Sequence, residues 1–403
     1  MVWSKRGQST RRRGTGTYLE RGHEEEVTVT EIEAKSVLRR HRKIDSWFVS
    51  HYGMNLYRGC FHNCIYCDGR AEGYYVSGEF GEDVSVKVNA IDVLRRELDP
   101  KRRRKPLSRS YIMLGGGVGD SYQPIEKKYQ LTRRALQLVH ESGFPVHVLT
   151  KSTLVTRDAD ILKAVNQHSR AIVSFSFSSV DDRISAIVEP RVPSPSERLD
   201  ALRFFKGEGI ACGMFLLPVI PGITDSWEFL EDAVAKASGV GVDFIIFGGM
   251  TLKEGRQRDY FTGAIKDHYP RLATDYRHIY RGGKWGEPAH EYADSLNRTF
   301  GTIAGRYKVP IRMPPALYQD ILGENDLVVV ILEHIDYLLR MQGERSPFSR
   351  AAYSISQVQE PLSGLKGRLR DLEGIGETTE RVVLEALETG KSSYHQQLLA
   401  GGS

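Results

Sequence analysis

The 403-residue chain is short of cysteine, with four, and has no long apolar run. Four cysteines cannot make a disulfide framework in a chain of this size. The most apolar stretches, around Leu327–Leu332 and Phe244–Gly248, are soon broken by charge or glycine. Neither approaches the ~18 residues that a membrane span needs. The start, Met1-Val-Trp-Ser-Lys-Arg-Gly running on to Arg11-Arg12-Arg13, lacks the apolar segment of a secretory signal. The expected setting is therefore the cytoplasm, with no membrane partner. Charge of one sign is not in large excess either, since 56 basic and 51 acidic side chains leave +5. That balance tolerates an anionic partner without requiring one. A 40% hydrophobic content excludes wholesale disorder.

What is present is unevenly placed. Three of the four cysteines fall within eight residues, at Cys60, Cys64 and Cys67, while Cys212 stands alone. A chain that otherwise avoids cysteine has gathered three, which is a metal-site signal. Basic residues gather at Arg11–Arg13, at 39–43 and at Lys101–Lys105, the last between Pro100 and Pro106. Such a run is either a solvated loop or a phosphate-contacting one.

Residues 1–45 read as a basic, loosely ordered extension. From 46 to 255, short apolar strand candidates alternate with amphipathic helix candidates. The strands are Tyr52–Tyr57, Ser110–Gly115, Pro145–Thr150, Ala171–Phe177, Ala211–Ile220 and Val242–Phe247. The helices are Val84–Leu98, Ile125–Ser142, Ala159–His168, Pro195–Gly209 and Ser226–Ala237. Six successive βα units predict an α/β fold with a parallel sheet. Periodicity does not choose between an open doubly wound sheet and a partial barrel, but both place the working end at the C-terminal edge of the strands. Residues 256–345 read as a helical extension, 346–362 as a linker, and 363–403 as a small helical unit separable from the rest.

The cysteine segment is Asn55-Leu-Tyr-Arg-Gly-Cys60-Phe-His-Asn-Cys64-Ile-Tyr-Cys67-Asp. Thiolates select zinc, copper(I) or iron–sulfur clusters. A closed zinc site wants a fourth ligand, and here there is no second knuckle; His62 sits cramped between two of the cysteines. A four-iron cluster normally takes four cysteines, so three leave one iron open to a small molecule. Cys212, at the start of a strand candidate, reads as a core thiol.

C-x-x-x-C-x-x-C on a loop after a first strand resembles the signature of the radical S-adenosylmethionine superfamily. The resemblance implies a partial (β/α)6 barrel of the TIM type, one [4Fe-4S] cluster on Cys60, Cys64 and Cys67, S-adenosylmethionine at the open iron, and an unidentified electron donor. Further strings stand at βα junctions: Gly115-Gly116-Gly117, Gly119-Asp120-Ser121-Tyr122-Gln123-Pro124-Ile125-Glu126, Leu149-Thr150-Lys151-Ser152, Ser174-Phe175-Ser176, Glu189-Pro190-Arg191 and Pro218-Val-Ile-Pro221-Gly222. Together they are similar to the spore photoproduct lyase-related group of DNA-repair-like radical proteins. That likeness implies cofactor contacts from Tyr66, Gly115, Gly116, Gly117, Lys151, Ser174, Ser176 and Arg191. Lys151 would pair with the cofactor's carboxylate and Ser174 or Ser176 would reach its ribose. Tyr66 and Tyr122 are its candidate catalytic residues. The match is incomplete. The Gly-rich turn lacks its acidic member, Asp68 replaces a second tyrosine, and Leu114–Tyr122 lacks the hydrogen-donor cysteine of the lyase.

The tail, Leu372-Glu-Gly374-Ile375-Gly376-Glu-Thr-Thr-Glu-Arg-Val382-Val383 onward to Gly390-Lys391, resembles a helix-hairpin-helix motif. Glycines let a backbone approach a phosphate, and N–H groups at a helix start face outward. Gly374, Ile375, Gly376 and Lys391 are its candidate nucleic-acid contacts, although Glu373 and Glu377 flank the turn. The reading that joins these signals is a radical enzyme acting on nucleic acid, DNA foremost, in lesion repair or base modification. A radical enzyme with a protein or small-molecule substrate and a nucleic-acid-binding iron–sulfur regulator are the alternatives.

Overall fold

Alternation of apolar residues in the first half separates two faces of one sheet, and that separation organises the chain. The computed structural model describes residues 11–18, 27–74, 78–102, 106–283 and 285–400. Its strands are β1 (Arg11–Tyr18), β2 (Val27–Glu33), β3 (Leu38–Asp45), β4 (Ser50–Met54), β5 (Tyr57–Arg58), β6 (Asp83–Lys87), β7 (Tyr111–Leu114), β8 (Val146–Thr150), β9 (Ala171–Phe177), β10 (Ala211–Val219) and β11 (Phe244–Gly249). The main sheet runs β11-β10-β9-β8-β7-β4-β3. Six of these strands are parallel and β3 closes one edge antiparallel to β4.

The parallel strands follow one another in chain order with no reversal. A doubly wound sheet needs a point where the order reverses. Right-handed crossovers of a monotonic sheet put every connecting helix on the same side. The sheet is therefore a singly wound (β/α)6 partial barrel. The outer face is covered by α1 (Ala90–Leu98), α2 (Glu126–Tyr129), α3 (Leu131–Glu141), α4 (Ala159–His168), α5 (Asp182–Val188), α6 (Pro195–Gly207) and α7 (Trp227–Val240). In β9, Val173, Phe175 and Phe177 join the core under these helices, while Ile172 belongs to the core on the inner side. Cys212, at the start of β10, is buried in the outer core, as expected of a packing thiol.

Local signals held where they were strong. Ser194 and Glu197 form a reciprocal cap on α6, with Pro195 in its first turn. Gly143 and Gly209 end their helices in the left-handed region. The expected helix at 84–98 splits, because Asp83–Lys87 is strand β6 in a second sheet ordered β1-β2-β6-β5. Residues 27–45 of the supposedly loose extension are strands β2 and β3 with a short connection. Of the run 101–105, residues 103–105 lie outside the described residues.

The C-terminal third differs from expectation. It comprises α8 (Arg256–Ile265), α9 (Leu272–Ile279), α10 (His290–Tyr307), α11 (Glu324–Met341), α12 (Phe348–Gln357), α13 (Glu377–Thr389) and α14 (Ser393–Leu399). The segment 346–362 holds a helix in place of a linker, with Phe348, Ala351, Ala352 and Ile355 buried. Val330, Ile331 and Ile335 of α11, Ile355 of α12, Val383 of α13 and Leu398 of α14 share one core with Tyr111, Phe215, Phe244 and Ile246 of the barrel's inner face. The tail is thus part of the barrel's packing and not a separable unit.

Candidate active site

The loop bearing the cysteines leaves β4 through β5 and crosses the C-terminal edge of the sheet. Two buried amides clamp it. Gln123 donates from Nε2 to Gly59 O (3.3 Å) and accepts at Oε1 from Phe61 N (2.9 Å). Gln257, at the start of α8, donates from Nε2 to Tyr66 O (2.9 Å), to Asp68 Oδ1 (3.1 Å) and to Thr251 O (3.0 Å). Asp68 also meets Thr251 Oγ1 and Lys253 Nζ, each at 2.8 Å. The aspartate at this position therefore ties the cysteine loop to the end of the last barrel strand.

Asp120 fastens the β7 loop to the end of β8. It accepts from Thr150 Oγ1 (2.7 Å), Lys151 N (2.8 Å) and Tyr122 N (2.7 Å), and His62 Nε2 lies 3.3 Å away. Glu126 accepts from Tyr57 Oη, Thr132 N and Arg157 Nη2. The string 119–126 thus builds the frame under the cysteine loop.

Cys60 and Cys64 are 8% and 6% exposed, and Cys67 is partly open. Burial, with Glu189 adding to it, pushes the Cys64 thiol up to about 12. Burial raises Cys67 to about 11 against the help of the Gly69 N–H, and it lifts Cys60 as well, with Asp120 adding to it. Such thiols ionise when a metal supplies the missing positive charge. Among the described residues no three His, Cys, Asp or Glu side chains are gathered around a point that could hold a single metal ion. Three thiols on one loop are a donor set suited to iron and sulfur. His62 adds no fourth ligand there, because its Nδ1 faces Arg191 O at 3.2 Å and its Nε2 faces Asp120.

Beside Cys64 lies a buried charged network. Glu189 receives the Tyr66 hydroxyl, Ser178 Oγ (3.0 Å), Ser185 Oγ (3.1 Å) and Arg198 Nη2 (2.6 Å), and Lys151 Nζ lies 3.0 Å away. Burial alone would raise this carboxyl, but Arg198 and Lys151 hold it well below the usual carboxylate range. Lys151 also donates to Ser176 Oγ at 2.7 Å, and its ammonium stands 5.7 Å from the Tyr66 ring centre. An ammonium has three donors, so one remains for an anionic ligand. The Tyr66 hydroxyl is taken up by Glu189. Glu189 and Arg198 had no assigned role in the sequence; besides near neighbours such as Ser185, they join Tyr66 and Lys151 from far along the chain.

Other expected residues separate. Ser174 is fully buried, one pleat below Ser176, and its Oγ is paired with His147 Nε2 at 2.8 Å. Strand geometry puts both serines on the inner face but only Ser176 at the rim. Tyr122 is fully buried in the outer core, in the field of Asp158 and Glu126, and does not reach the site. Gly115 has φ +97°, and a Cβ there would stand 1.9 Å from Leu149 O, so the turn requires glycine. Gly116 and Gly117 are exposed beside it. Arg191 lies behind the cysteine loop, donating to Gly81 O (2.8 Å) with its guanidinium 5.5 Å from the Phe61 ring centre.

In the tail, Gly374 (φ +84°) packs on α12, where an added Cβ would stand 2.9 Å from Ala351 N. Ile375 is buried as the turn's anchor, and only Gly376 is open, capping α13 without a side-chain bond. Lys391 lies beyond the other end of α13, about 20 Å from Gly376 at 1.5 Å per residue, so the four expected contacts do not form one group. Ion pairs Arg350–Glu373 (3.1 Å) and Arg370–Glu380 (2.6 Å) flank the turn. No helix among the described residues is long and apolar enough to cross a membrane.

Comparison with known proteins agrees with the cysteine loop. A family model described as the Radical SAM superfamily matches residues 54–249. The uncharacterized protein Rv2578c of Mycobacterium tuberculosis is 30% identical over 287 residues, covering 70% of this chain and 82% of its own. The uncharacterized protein MJ0683 of Methanocaldococcus jannaschii is 30% identical over 220 residues, covering 54% of this chain and 76% of its own. Among solved structures, spore photoproduct lyase complexed with dinucleoside spore photoproduct aligns with a TM-score of 0.48 at 20% identity, over 67% of this chain and 78% of that one.

Proposed function

Because this chain belongs to the radical SAM superfamily and is a radical SAM enzyme, we propose that it cleaves S-adenosylmethionine reductively and directs the resulting radical at nucleic acid. The observation that carries the radical chemistry is the placement of three spaced thiols, two of them buried, beside the Tyr66–Glu189–Lys151–Ser176 network, at the C-terminal edge of the sheet. Cys60, Cys64 and Cys67 would hold a [4Fe-4S] cluster, leaving one iron for the cofactor. Cluster and cofactor together supply one-electron cleavage of a sulfonium to a 5′-deoxyadenosyl radical. The chain's own part is to hold and shield. Lys151 offers its remaining donor to the cofactor's carboxylate, while Glu189 orients that ammonium. Ser176 stands next to it at the rim for a ribose hydroxyl. Gly115–Gly117 leave room for a ligand against the end of β7. The electron donor is a separate protein or small reductant.

Support for nucleic acid comes from the motif series shared with the lyase-related group and from the open Gly376 at the start of α13. Arg345, Arg350, Arg368 and Arg370 lie in and before the same tail. The test is anaerobic reconstitution, measurement of iron and sulfide, and assay of 5′-deoxyadenosine with and without duplex and single-stranded DNA. The reading expects cleavage that rises when nucleic acid is present, and DNA binding that weakens steeply with salt. Cleavage without any nucleic-acid binding would move the substrate to protein or small molecules; a cluster without cleavage would make the protein a regulator.

A further inference from the structure

The turn that carries the second and third thiols is closed by a side chain that takes no part in the Glu189 network. Cys67 caps a short 3-10 turn, Asp68–Arg70, in which Arg70 N donates to Cys67 O at 3.2 Å and Gly69 N to Cys67 Sγ at 3.4 Å. From the end of that turn Arg70 reaches back along the loop. Its Nη2 donates to Asn63 Oδ1, and its Nη1 donates to Phe80 O at 3.1 Å. Asn63 immediately precedes Cys64, so one side chain ties residue 63 to residue 70 and encloses both cysteines. The amide is itself closely seated, since a Cβ added at Gly81 would stand 2.0 Å from Asn63 Oδ1.

Aromatic rings hold the guanidinium, whose carbon lies 3.3 Å from the Tyr260 ring centre and 5.2 Å from that of Phe80. Tyr260 stands on α8 one turn after Gln257, so the helix that clamps Tyr66 O and Asp68 also braces this cation. What the clamp lacks is an acid. Arg70 is 7% exposed, both its acceptors are neutral, and among the described residues no carboxylate forms an ion pair with it. Its Nε is buried without a hydrogen-bond partner. The adjacent Asp68 is taken by Lys253, Thr251 and Gln257. Burial works against the Arg70 charge, and the groups that offset it are, in falling order, Tyr260, Cys67, Cys64 and Glu79. A buried cation is costly unless an opposite charge meets it. Two thiols ionised on a metal would supply that charge.

We propose that Arg70 sets the reduction potential of the cluster, by holding one positive charge without an acidic partner beside Cys64 and Cys67. The proposal deepens the cluster reading above and rests on it. A cluster on three thiolates gains negative charge when it takes an electron, and a fixed cation beside those sulfurs favours the reduced form. Lys151 acts on the same two thiols, but its charge is shared with Glu189. Arg70 has no such competitor. Its contacts with Phe80 and Tyr260 keep the charge in place whether or not the cofactor is bound.

The test is an anaerobic titration of the reconstituted full chain with dithionite and redox mediators, the reduced cluster being followed by electron paramagnetic resonance. One electron passes from dithionite to the cluster, and no bond is made or broken. Arg70→Met keeps an unbranched side chain and removes the charge. It should shift the reduction equilibrium about tenfold towards the oxidised form, a potential lower by ~59 mV for a one-electron couple. Arg70→Lys keeps the charge and should restore most of that shift. Asn63→Ala breaks the tie to the loop but leaves the cation on Phe80 and Tyr260, and should stay near the wild-type potential. A wild-type potential in Arg70→Met overturns the proposal. So does an equal fall in Arg70→Met and Asn63→Ala, which would make the residue a brace only. If Arg70→Met takes up no iron, Arg70→Lys decides: iron held at the wild-type potential supports the charge, and iron missing there while Asn63→Ala binds it normally overturns it. A wild-type chain that takes up no four-iron cluster overturns the cluster reading itself, an outcome distinct from the others.

Discussion

Two glycine-containing turns carry the functional signals of this chain, and the structure treats them differently. The cysteine loop is pinned by Gln123 and Gln257 and leans on a fully buried carboxylate with two cationic partners. The tail turn at Gly374–Gly376 is held by one buried isoleucine and two exposed ion pairs. Buried charge costs free energy unless it is paired and hydrogen-bonded, so a network like that around Glu189 marks a site whose geometry matters. Exposed pairs contribute ~0–1 kcal/mol and fix little. The first turn is braced through buried charge; the second is braced at the surface.

Replacing Cys60, Cys64 or Cys67 by alanine gives the largest contrast, a complete loss of cluster iron, while Cys212→Ala keeps it. Full iron in Cys64→Ala would remove the basis of the comparison. Glu189→Gln comes next. It leaves Arg198 buried and unpaired, so unfolding in urea should show a loss of about 3–5 kcal/mol. Lys151→Ala tests the same network from the ligand side, with S-adenosylmethionine bound about ten- to a hundredfold more weakly by equilibrium dialysis. Unchanged affinity would take the carboxylate contact away from this lysine.

Acid should bear on both the barrel and the tail. Burial holds His147, beneath the barrel site, at about 3, and His395, in α14, at about 3. Both are neutral when folded near pH 7 and would bind protons on unfolding below their ordinary value of 6.5. Their stabilisation is therefore complete above about pH 6.5 and is lost as pH falls towards 3, at ~1.4 kcal/mol per pH unit for each. His395→Gln should flatten that slope, and hydrogen exchange should show whether α14 opens before the barrel. The smallest effects belong to the tail turn. Gly374→Ala forces a Cβ against Ala351 N at positive φ and should cost about 1–3 kcal/mol. At Gly376 nothing lies within 4 Å of an added Cβ, so Gly376→Val should keep the fold and weaken only duplex DNA binding. A Gly376→Val protein that binds DNA normally would leave the turn a packing element.

The same contrast explains what could be read from the chain. Ala171–Phe177, Ala159–His168 and the stops at Gly143 and Gly209 were legible because an apolar run or a left-handed glycine is a local signal. Strand β6 was not, since its Val-Ser-Val core is short and runs into the helix that follows. The cysteines declared themselves by spacing. Gln123 and Glu189 stood inside the motif strings without a role of their own, and Gln257 and Arg198 gave no signal, because a buried amide or charged group gains its role from what the fold brings to it. Of two serines two residues apart on one face, only depth in the barrel distinguishes them. The linker was misread at 346–362 because polar residues on the exposed side of α12 mask four buried apolar ones.

The packing of α11 on the inner side of the sheet, with α12 to α14 packed on α11, sets a schedule for the newborn chain. The last barrel strand ends at Gly249 and the last helix at Leu399, and the residues between them take roughly 8–30 s to be synthesised. For the part of that interval before α11 is made, Phe215, Phe244 and Ile246 line an apolar trough with nothing to fill it. A chain cut after Gly249 would carry that trough bare, and should bind a hydrophobic dye that the full-length protein excludes.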